Sequence, residues 1–390
     1  MPQAVIKVDS LFESAFGKPS VGVWSAPGRV NLIGEHTDYN NGFVLPFAIN
    51  RRTYAAVAAR DDRTVRVASS FAEGIVSIEL DTISPESVAG WSAYPLGVLW
   101  AALERVKSES RSDTTICGLD IFIDSDVPVG AGLSSSAAIE CAVAVAVNEL
   151  WSLDFSKQDL AKIGQRAENA VVGAPTGIMD QSASMLGQAD CAVLLDCRDL
   201  VATSVPLHFA EQQLEILVID TKVAHRHSDG GYASRRASCE LGAATMGVSS
   251  LRQLSTADLD RAQELMDDVT FRRVRHIVTE NQRVLETVEA LAQSGPAAIG
   301  ELLYASHESM RDDFEISVDE LDVAVETSLR HGAIGSRMTG GGFGGSAIAL
   351  VPIHRISEVA NAVKAEFENL GYNSPEIFAV SASEGAKRER

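Results

Sequence analysis

Short apolar stretches alternate with longer segments of mixed apolar and polar residues along the whole chain. The short stretches are typical of buried strands; they cover residues 52–60, 64–68, 119–124, 192–195, 215–220, 346–351 and 377–380. The longer segments consist mainly of good helix formers; they cover residues 94–107, 137–150, 157–171, 271–293 and 356–370. This alternation predicts a protein of the mixed α+β class.

The length of the chain supports a large folded core. It has 390 residues, of which 46% are hydrophobic, and this predicts two domains or one large one. A polar connection near residues 201–211 follows the last motif of the first half. We therefore predict one domain over residues 1–205 and a second over residues 206–390.

The net charge and the cysteine content indicate which binding partners and which cellular compartment to expect. With 33 basic and 53 acidic residues the net charge is −20, which argues against nucleic acid or an anionic membrane as a partner. The first twenty residues lack the apolar run of a signal peptide, and no run approaches the roughly 18 apolar residues of a membrane span. Five cysteines without a C-x-x-C pair indicate free thiols, so we expect a cytoplasmic protein.

Residues 27–39 (PGRVNLIGEHTDY) form the densest polar motif of the chain. They bring together Arg29, Glu35, His36 and Asp38 with an amide, a phenol and two glycines that permit sharp turns. Each buried polar group needs a partner, so this density argues against a core strand. It indicates a pocket for a small molecule with many hydroxyl groups.

Residues 127–138 (VPVGAGLSSSAA) form a second motif between a predicted strand and a predicted helix. Gly130 and Gly132 allow close backbone approach, and a helix N-terminus presents free N–H groups with a partial positive charge. This is the chemistry that binds a di- or triphosphate. A serine-rich cap after an ordinary glycine turn is the simpler alternative, and the Walker A pattern is absent.

Residues 338–346 (MTGGGFGGS) match G-x-G-x-x-G, but a short apolar strand follows them instead of a helix. They are therefore not a dinucleotide fingerprint. Two interpretations remain: a loop that closes over phosphates or a catalytic pocket, or a flexible hairpin tip. We favour the first, because so many glycines are entropically costly unless the backbone is used.

Among the remaining polar residues, Asp180 is the strongest candidate for chemistry. It follows Ile178 and Met179 after a turn, which draws it toward the interior, and a buried aspartate is paired, metal-bound or functional. Glu168, near the end of a predicted helix, is by composition an ordinary exposed glutamate. His225 and His227 form a weak metal signal and are better interpreted as part of a solvated loop, with Tyr232 as a loop tyrosine beside them.

Taken together, the three motifs resemble those of the galactokinases, within the GHMP family of small-molecule kinases. The order of the motifs matches, and they span nearly the whole chain. The second and third motifs are shared by many GHMP kinases, whereas Glu35-His36-Thr37-Asp38 points to galactose. The resemblance implies the two-domain GHMP fold, with an active site in the cleft between the domains.

The resemblance also implies a role for each matching residue. It implies ATP-dependent phosphorylation of the anomeric hydroxyl of D-galactose to α-D-galactose 1-phosphate, the first committed step of galactose catabolism by the Leloir pathway. Asp180 would be the catalytic base, and Arg29 would keep it ionised and stabilise the transition state. The residues implied in galactose binding are Glu35, His36, Asp38, Gly177 and Tyr232. The residues implied in binding the triphosphate of ATP are Gly130, Ala131, Gly132, Leu133, Ser134, Ser135 and Ser136.

Ser136 and Glu168 match the Mg²⁺ ligands of the family, which reverses the interpretation of Glu168 from composition. Trp91 lies where the family often has an aromatic residue near adenine, although packing in the core is the commoner role of a tryptophan. We expect a monomer that acts on small molecules only. Two rivals stay open, a GHMP kinase for a related sugar and a non-catalytic sensor of galactose and ATP; a plain structural protein would leave the motifs unexplained.

Overall fold

The computed structural model describes residues 2–110, 115–223 and 228–390. His225 and His227 lie outside these residues. The described helices are α1 (Gln3–Phe16), α2 (Ala93–Ser108), α3 (Ser135–Leu150), α4 (Lys157–Ala167), α5 (Met179–Leu186), α6 (Ser228–Met246), α7 (Leu259–Leu265), α8 (Asp268–Ser294), α9 (Gly300–Glu308), α10 (Asp319–Arg330) and α11 (Ile356–Leu370). The described strands are β1 (Gly22–Asn31), β2 (Phe43–Val44), β3 (Pro46–Ala59), β4 (Thr64–Ser69), β5 (Ala72–Glu79), β6 (Leu119–Ser125), β7 (Cys191–Asp196), β8 (Val201–Pro206), β9 (Leu214–Asp220), β10 (Gly335–Thr339), β11 (Ser346–Pro352), β12 (Glu376–Val380) and β13 (Lys387–Arg388).

The first half of the chain is built around a six-stranded sheet in the order β13-β1-β3-β6-β4-β5. Its neighbours are antiparallel except for β4 and β6, which run parallel. Apolar residues of this sheet share one buried core with α2, α3 and α4. Helix α3 is apolar nearly all round, which agrees with its position inside this layer.

The second half is built around an antiparallel sheet of four strands in the order β10-β11-β9-β12. One face packs on a core formed with α6, α8, α10 and α11. A further core joins the halves, because Val30, Leu32 and Phe47 pack in the same cluster as Ile216 and Ile348. The two halves therefore meet along a buried apolar surface. This close packing fixes the positions of their polar loops relative to each other.

The polar connection expected near residues 201–211 contains a strand. Residues Val201–Pro206 form β8, which pairs with β7 and is mostly exposed, with only Val205 buried. The last strand, β13, pairs with β1 of the first sheet although it follows the second sheet in sequence. A division of the chain at residues 205/206 stays a prediction.

Every predicted strand and helix corresponds to an observed one. Helix α11 has the predicted bounds, and β11 confirms that a strand, not a helix, follows the third motif. The predicted helix over residues 157–171 is α4 followed by a single π-helical turn, Glu168–Val172. Among the described residues, no helix combines the length and the apolar character needed to cross a membrane.

One expectation about the first motif is wrong. Residues 27–31 belong to β1, which is buried along its whole length, although their polar density argued against a core strand. The side chain of Arg29 pairs with Asp180, and Nδ2 of Asn31 donates to Glu35. The pairing of β1 with β3 is irregular between Pro27 and Arg29. At this irregularity a Cβ on residue 28 would lie 2.6 Å from the carbonyl oxygen of Leu133, so only glycine fits.

Candidate active site

A polar cavity of about 180 Å³ lies where the loops of the two halves meet. Pockets for drug-sized molecules hold about 300–1,000 Å³, so this cavity fits one smaller molecule. Its lining comes from the first motif, from the turn before α5 and the start of α5, from α6, and from the glycine-rich loop. The lining residues are Arg29, Glu35, His36, Asp38, Thr176, Gly177, Met179, Asp180, Tyr232, Gly340 and Gly341. The structure thus brings together all seven residues predicted as catalytic or sugar-binding.

Arg29 and Asp180 form an ion pair at one end of the cavity. The Nε and Nη2 atoms of Arg29 lie 2.8 and 2.7 Å from Oδ1 of Asp180. The Oγ of Ser134 donates to Oδ2 of the same carboxylate at 2.5 Å. Asp180 also lies in the first turn of α5, where the helix dipole favours a negative charge. The side chain of Asp180 stays 21% exposed, so a ligand can reach a carboxylate whose orientation is fixed.

Glu35 is a buried carboxylate with most of its acceptor positions filled. Its Oε2 accepts from Nδ2 of Asn31 at 2.7 Å, and its Oε1 accepts from the backbone N–H of Gly340 at 2.8 Å and from Oγ1 of Thr339 at 3.2 Å. A carboxylate offers about four acceptor positions, so about one remains for a ligand hydroxyl. Burial raises the pKa of Glu35, against the pull of Arg337 and Arg29.

His36 is held in one tautomer. Its Nε2 lies 3.1 Å from the carbonyl oxygen of Gly341, which can only accept, so this nitrogen carries the proton. Its Nδ1 then accepts from the hydroxyl of Tyr39 at 2.8 Å. Burial lowers the pKa of His36 to about 3, so the ring is neutral at physiological pH. The ring of Tyr232 packs on it with centroids 5.0 Å apart.

Asp38 and Gly177 also line the cavity and lie in close contact with each other. A Cβ on residue 177 would lie 1.8 Å from Oδ2 of Asp38, so this position requires glycine. The Oδ1 of Asp38 accepts from the backbone N–H of Tyr39 at 2.9 Å. Burial, with the neighbouring charge of Asp180, raises the pKa of Asp38 to about 6. Asp38 therefore titrates close to the physiological range.

The second motif forms a loop that leads directly into α3. Gly130, Gly132 and Ser134 all have left-handed backbone angles, with φ of 77°, 72° and 57°. This loop ends at the N-terminus of α3, and Val129 in it is 82% exposed. Such a helix start binds anions through its backbone N–H groups and its dipole. The remaining predicted loop residues, Ala131, Leu133, Ser135 and Ser136, lie in the same turn and in the first turn of α3.

The glycine-rich third motif connects β10 to β11 and lies against this loop. A Cβ on Gly340 would lie 3.1 Å from the carbonyl oxygen of Gly132. The Oγ of Ser346 donates to the carbonyl oxygen of Ala131 at 2.7 Å. Because Gly340 also donates to Glu35, the third motif joins the cavity to the loop, and a free hairpin tip is excluded.

Ser136 and Glu168 lie together beside the loop, and they fit a magnesium ion by their chemistry. The Oγ of Ser136 donates to Oε1 of Glu168 at 3.1 Å, and hydroxyl and carboxylate oxygens are hard donors of the kind Mg²⁺ takes. Glu168 is 5% exposed, which contradicts the interpretation from composition. Residue 168 continues the buried face of α4, four residues after Gly164 and eight after Leu160, and Ser136, Thr176 and Gln181 hydrogen-bond its carboxylate there.

Two sequence assignments need correction or stay open. Tyr232 is part of α6, not of a loop. Trp91 is half-buried and packs edge-on against Phe71, with centroids 5.5 Å apart, and its contact with adenine stays a prediction.

The sequence missed Thr176 and Met179 in the cavity, and Gln181 beside Glu168. The Nε2 of Gln181 donates to Oε2 of Glu168 at 2.8 Å and to the fully buried Glu140 at 2.9 Å. Proximity to Asp180 in sequence was the available signal for Met179 and Gln181. Glu140, inside an apolar helix, carried a signal of its own, because a buried carboxyl group needs a partner.

A helix-start phosphate loop, a glycine-rich hairpin against it and an acidic cavity beside both define a GHMP small-molecule kinase. The family profiles for the N-terminal and C-terminal GHMP kinase domains match residues 94–188 and 287–369. The mevalonate kinase of Methanococcus jannaschii shares the fold, with a TM-score of 0.66 at 18% identity over 92% of this chain and 98% of that one.

Within that class the chain belongs to the galactokinase family. The galactokinase galactose-binding signature matches residues 10–59. The galactokinase of Streptomyces coelicolor is 49% identical over 98% of this chain and 97% of its own length, and that of Mycobacterium tuberculosis 44% over 93% and 98%. The structure of Lactococcus lactis galactokinase complexed with galactose has a TM-score of 0.92 at 32% identity, covering 99% of this chain and 100% of that one. The protein is therefore a sugar kinase, and as a kinase it takes ATP as co-substrate.

Proposed function

We propose that this protein transfers the γ-phosphoryl group of ATP to the anomeric hydroxyl of D-galactose, giving α-D-galactose 1-phosphate and feeding galactose into the Leloir pathway. The observation that carries this proposal is the position of Asp180. Its carboxylate lines the sugar-sized cavity, yet accepts a hydrogen bond from Ser134 in the phosphate loop. A sugar hydroxyl and a terminal phosphate would therefore meet beside this carboxylate.

Asp180 acts as the general base in this proposal. It accepts the proton of the anomeric hydroxyl as the oxygen attacks phosphorus, and ADP leaves with the electron pair of the broken P–O bond. Arg29 holds Oδ1 of Asp180 through two nitrogens and adds a positive charge beside the transferred group. Phosphoryl transfer depends mainly on such positioning and charge stabilisation.

Glu35, His36, Asp38, Gly177 and Tyr232 select the sugar. The carboxylates of Glu35 and Asp38 are already oriented by neighbours, so the wrong epimer would leave polar groups unpaired, and this discriminates strongly. Both ring nitrogens of His36 are hydrogen-bonded within the protein, so His36 would act through the shape of the pocket. The backbone of residues 130–136 would hold the triphosphate. A magnesium ion bound by Ser136 and Glu168 would neutralise phosphate charge, and Gln181 keeps Glu168 oriented toward Ser136.

The test is a coupled assay for ADP release with a panel of sugars. D-Galactose should be turned over with the highest kcat/KM, and glucose, N-acetylgalactosamine and galacturonate poorly. A higher kcat/KM for another sugar would replace galactose in the proposal. Binding of galactose and ATP without ADP release would favour the sensor, which the intact Arg29–Asp180 pair argues against.

The role of magnesium has a separate test. The Glu168→Gln variant should bind ATP more weakly in the presence of Mg²⁺, measured by calorimetry without sugar.

We further propose that the protein is a cytoplasmic monomer whose domains divide near residue 205. Light scattering tests the monomer, fractionation tests the location, and limited proteolysis tests the division.

A further inference from the structure

A fully buried arginine lies behind the sugar cavity. Arg337, on β10, has no exposed surface and is absent from the cavity lining. Its Nη1 donates to the carbonyl oxygens of Leu32 at 2.9 Å and of Asn31 at 3.2 Å. Its Nη2 lies 3.5 Å from Oε1 of Glu35. One guanidinium therefore reaches both the backbone and the carboxylate of the sugar motif.

The same motif is held from the other side by Glu280, on α8. Its Oε1 accepts from the backbone N–H of Gly34 at 2.9 Å and from Oγ of Ser306 at 2.6 Å, and lies 4.0 Å from Nη2 of Arg337. Its Oε2 accepts from Nε of Arg283 at 2.7 Å. Burial opposes ionisation, yet Arg283, His276 and Arg337 together lower the pKa of Glu280 to about 2.

His276, one turn before Glu280 on α8, is the third side chain that contacts the backbone of the sugar motif. Its Nε2 lies 3.1 Å from the carbonyl oxygen of Glu35, which can only accept, and its Nδ1 lies 2.9 Å from Oγ of Ser309. The backbone of residues 31–35 is therefore fixed by side chains from β10 and α8. Arg337 is also the cation that lies between the carboxylates of Glu35 and Glu280.

We propose that Arg337 and Glu280 are positioning residues for sugar recognition, which hold the Glu35 carboxylate so that its remaining acceptor position meets one sugar hydroxyl. This inference rests on the proposed role of Glu35 as a sugar ligand. The two residues act through Glu35 and residues 31–35 and do not touch the sugar themselves. They should therefore govern galactose affinity more than ATP affinity or the chemical step.

Arg52 is an example of a buried arginine whose role is purely structural, in contrast to the role proposed for Arg337. Arg52 donates to Ser25 and to the carbonyl oxygens of Glu384 and Gly385. None of these residues lines the cavity. Its loss should lower stability without a selective effect on galactose, which makes Arg52→Lys the matched control for Arg337→Lys.

The experiment measures kcat and KM for galactose and ATP in the full chain for five variants: Glu35→Gln, Arg337→Lys, Glu280→Gln, the double Arg337→Met/Glu280→Gln and Arg52→Lys. A compact ammonium cannot reproduce the planar fork that spans two carbonyls and a carboxylate. Arg337→Lys should raise the KM for galactose about tenfold or more, and leave the KM for ATP within about twofold. The double variant keeps the test open if a lone buried charge prevents folding, because it removes both charges of the Arg337–Glu280 pair.

A series of monodeoxygalactoses adds a readout that a structural role would not move. One hydroxyl should lose its contribution to kcat/KM in Glu35→Gln, and the same hydroxyl should lose it in Arg337→Lys. Equal losses at all hydroxyls, or a wild-type KM for galactose in Arg337→Lys and the double variant, would overturn the inference. An unchanged galactose affinity in Glu35→Gln would instead overturn the role of Glu35 and the inference with it.

Discussion

The proposed sugar cavity and the proposed phosphate loop meet at Asp180, yet they are built in opposite ways. The cavity is made of side chains, and Glu35, His36 and Asp38 each have partners before any ligand arrives. The loop is made of backbone, with left-handed glycines and an exposed Val129. A stereochemically complex sugar requires fixed, directional side chains, whereas a phosphate is bound by any suitably curved row of N–H groups.

The largest expected effect comes from the residue shared by both regions. Asp180→Asn keeps the shape of the carboxylate but cannot accept the proton, so kcat should fall by about 10²–10⁴. Both KM values should change much less. Steady-state kinetics check this, and a KM effect larger than the kcat effect would make Asp180 a binding residue instead of the base.

Gly177→Ala should damage the side-chain region alone. The new Cβ would lie 1.8 Å from Oδ2 of Asp38, so the Asp38 carboxylate must move. A misplacement of about 1 Å in a positioned site can cost about 10²-fold. The KM for galactose should therefore rise by about that factor, and the KM for ATP should stay near its normal value. Gly230→Ala, where a Cβ meets nothing within 4 Å, is the control. Equal increases in both KM values would show that the two regions are not separable.

Lowering the pH should weaken the cavity before the loop. Asp38, with its pKa raised to about 6, gains a proton below that pH and loses acceptor capacity. The KM for galactose should rise up to about tenfold between pH 6 and pH 5 beyond any change in Asp38→Asn. A parallel rise in that variant would assign the effect elsewhere.

The same shift has a signature in stability. The pKa of Asp38 is 3.8 in the unfolded state and is raised to about 6 in the folded state, so the folded state binds this proton more tightly. The free energy of unfolding should therefore fall as the pH rises from about 4 to about 6. Asp38→Asn should lack this component. Urea unfolding of the ligand-free protein across that range measures it.

The smallest effect is expected in the backbone region. Gly132→Ala forces an L-residue into φ of 72° and brings a Cβ 3.3 Å from the carbonyl oxygen of Thr339. The left-handed conformation costs about 1–2 kcal/mol, part of which an exposed loop relieves by shifting. The KM for ATP should rise a few-fold, at most about tenfold, with that for galactose unchanged. A larger loss would mean that the loop is as rigid as the cavity.

The contrast between the backbone loop and the side-chain cavity also decides which residues could be predicted from the sequence. Residues 130–136 and the third motif could be assigned from sequence, because glycines and a helix start signal their own local geometry. Glu168 could not be assigned from composition, because its burial depends on the packing of α4 and on its contacts with Ser136 and Gln181. Residues 27–31 were placed outside the core, because the partner of Arg29, Asp180, lies 151 residues further along the chain.

The sequence alone determined seven of the thirteen described strands and five of the eleven described α-helices. It also determined the three motifs and the resemblance that gave seven cavity residues their expected roles, since these depend on local periodicity and residue type. Only the tertiary structure placed Arg337 and Glu280 against the sugar motif and Ser134 against Asp180. Glu280 lies 245 residues from Glu35 along the chain. No local pattern encodes such a contact, because it arises from the packing of the two halves on a common core.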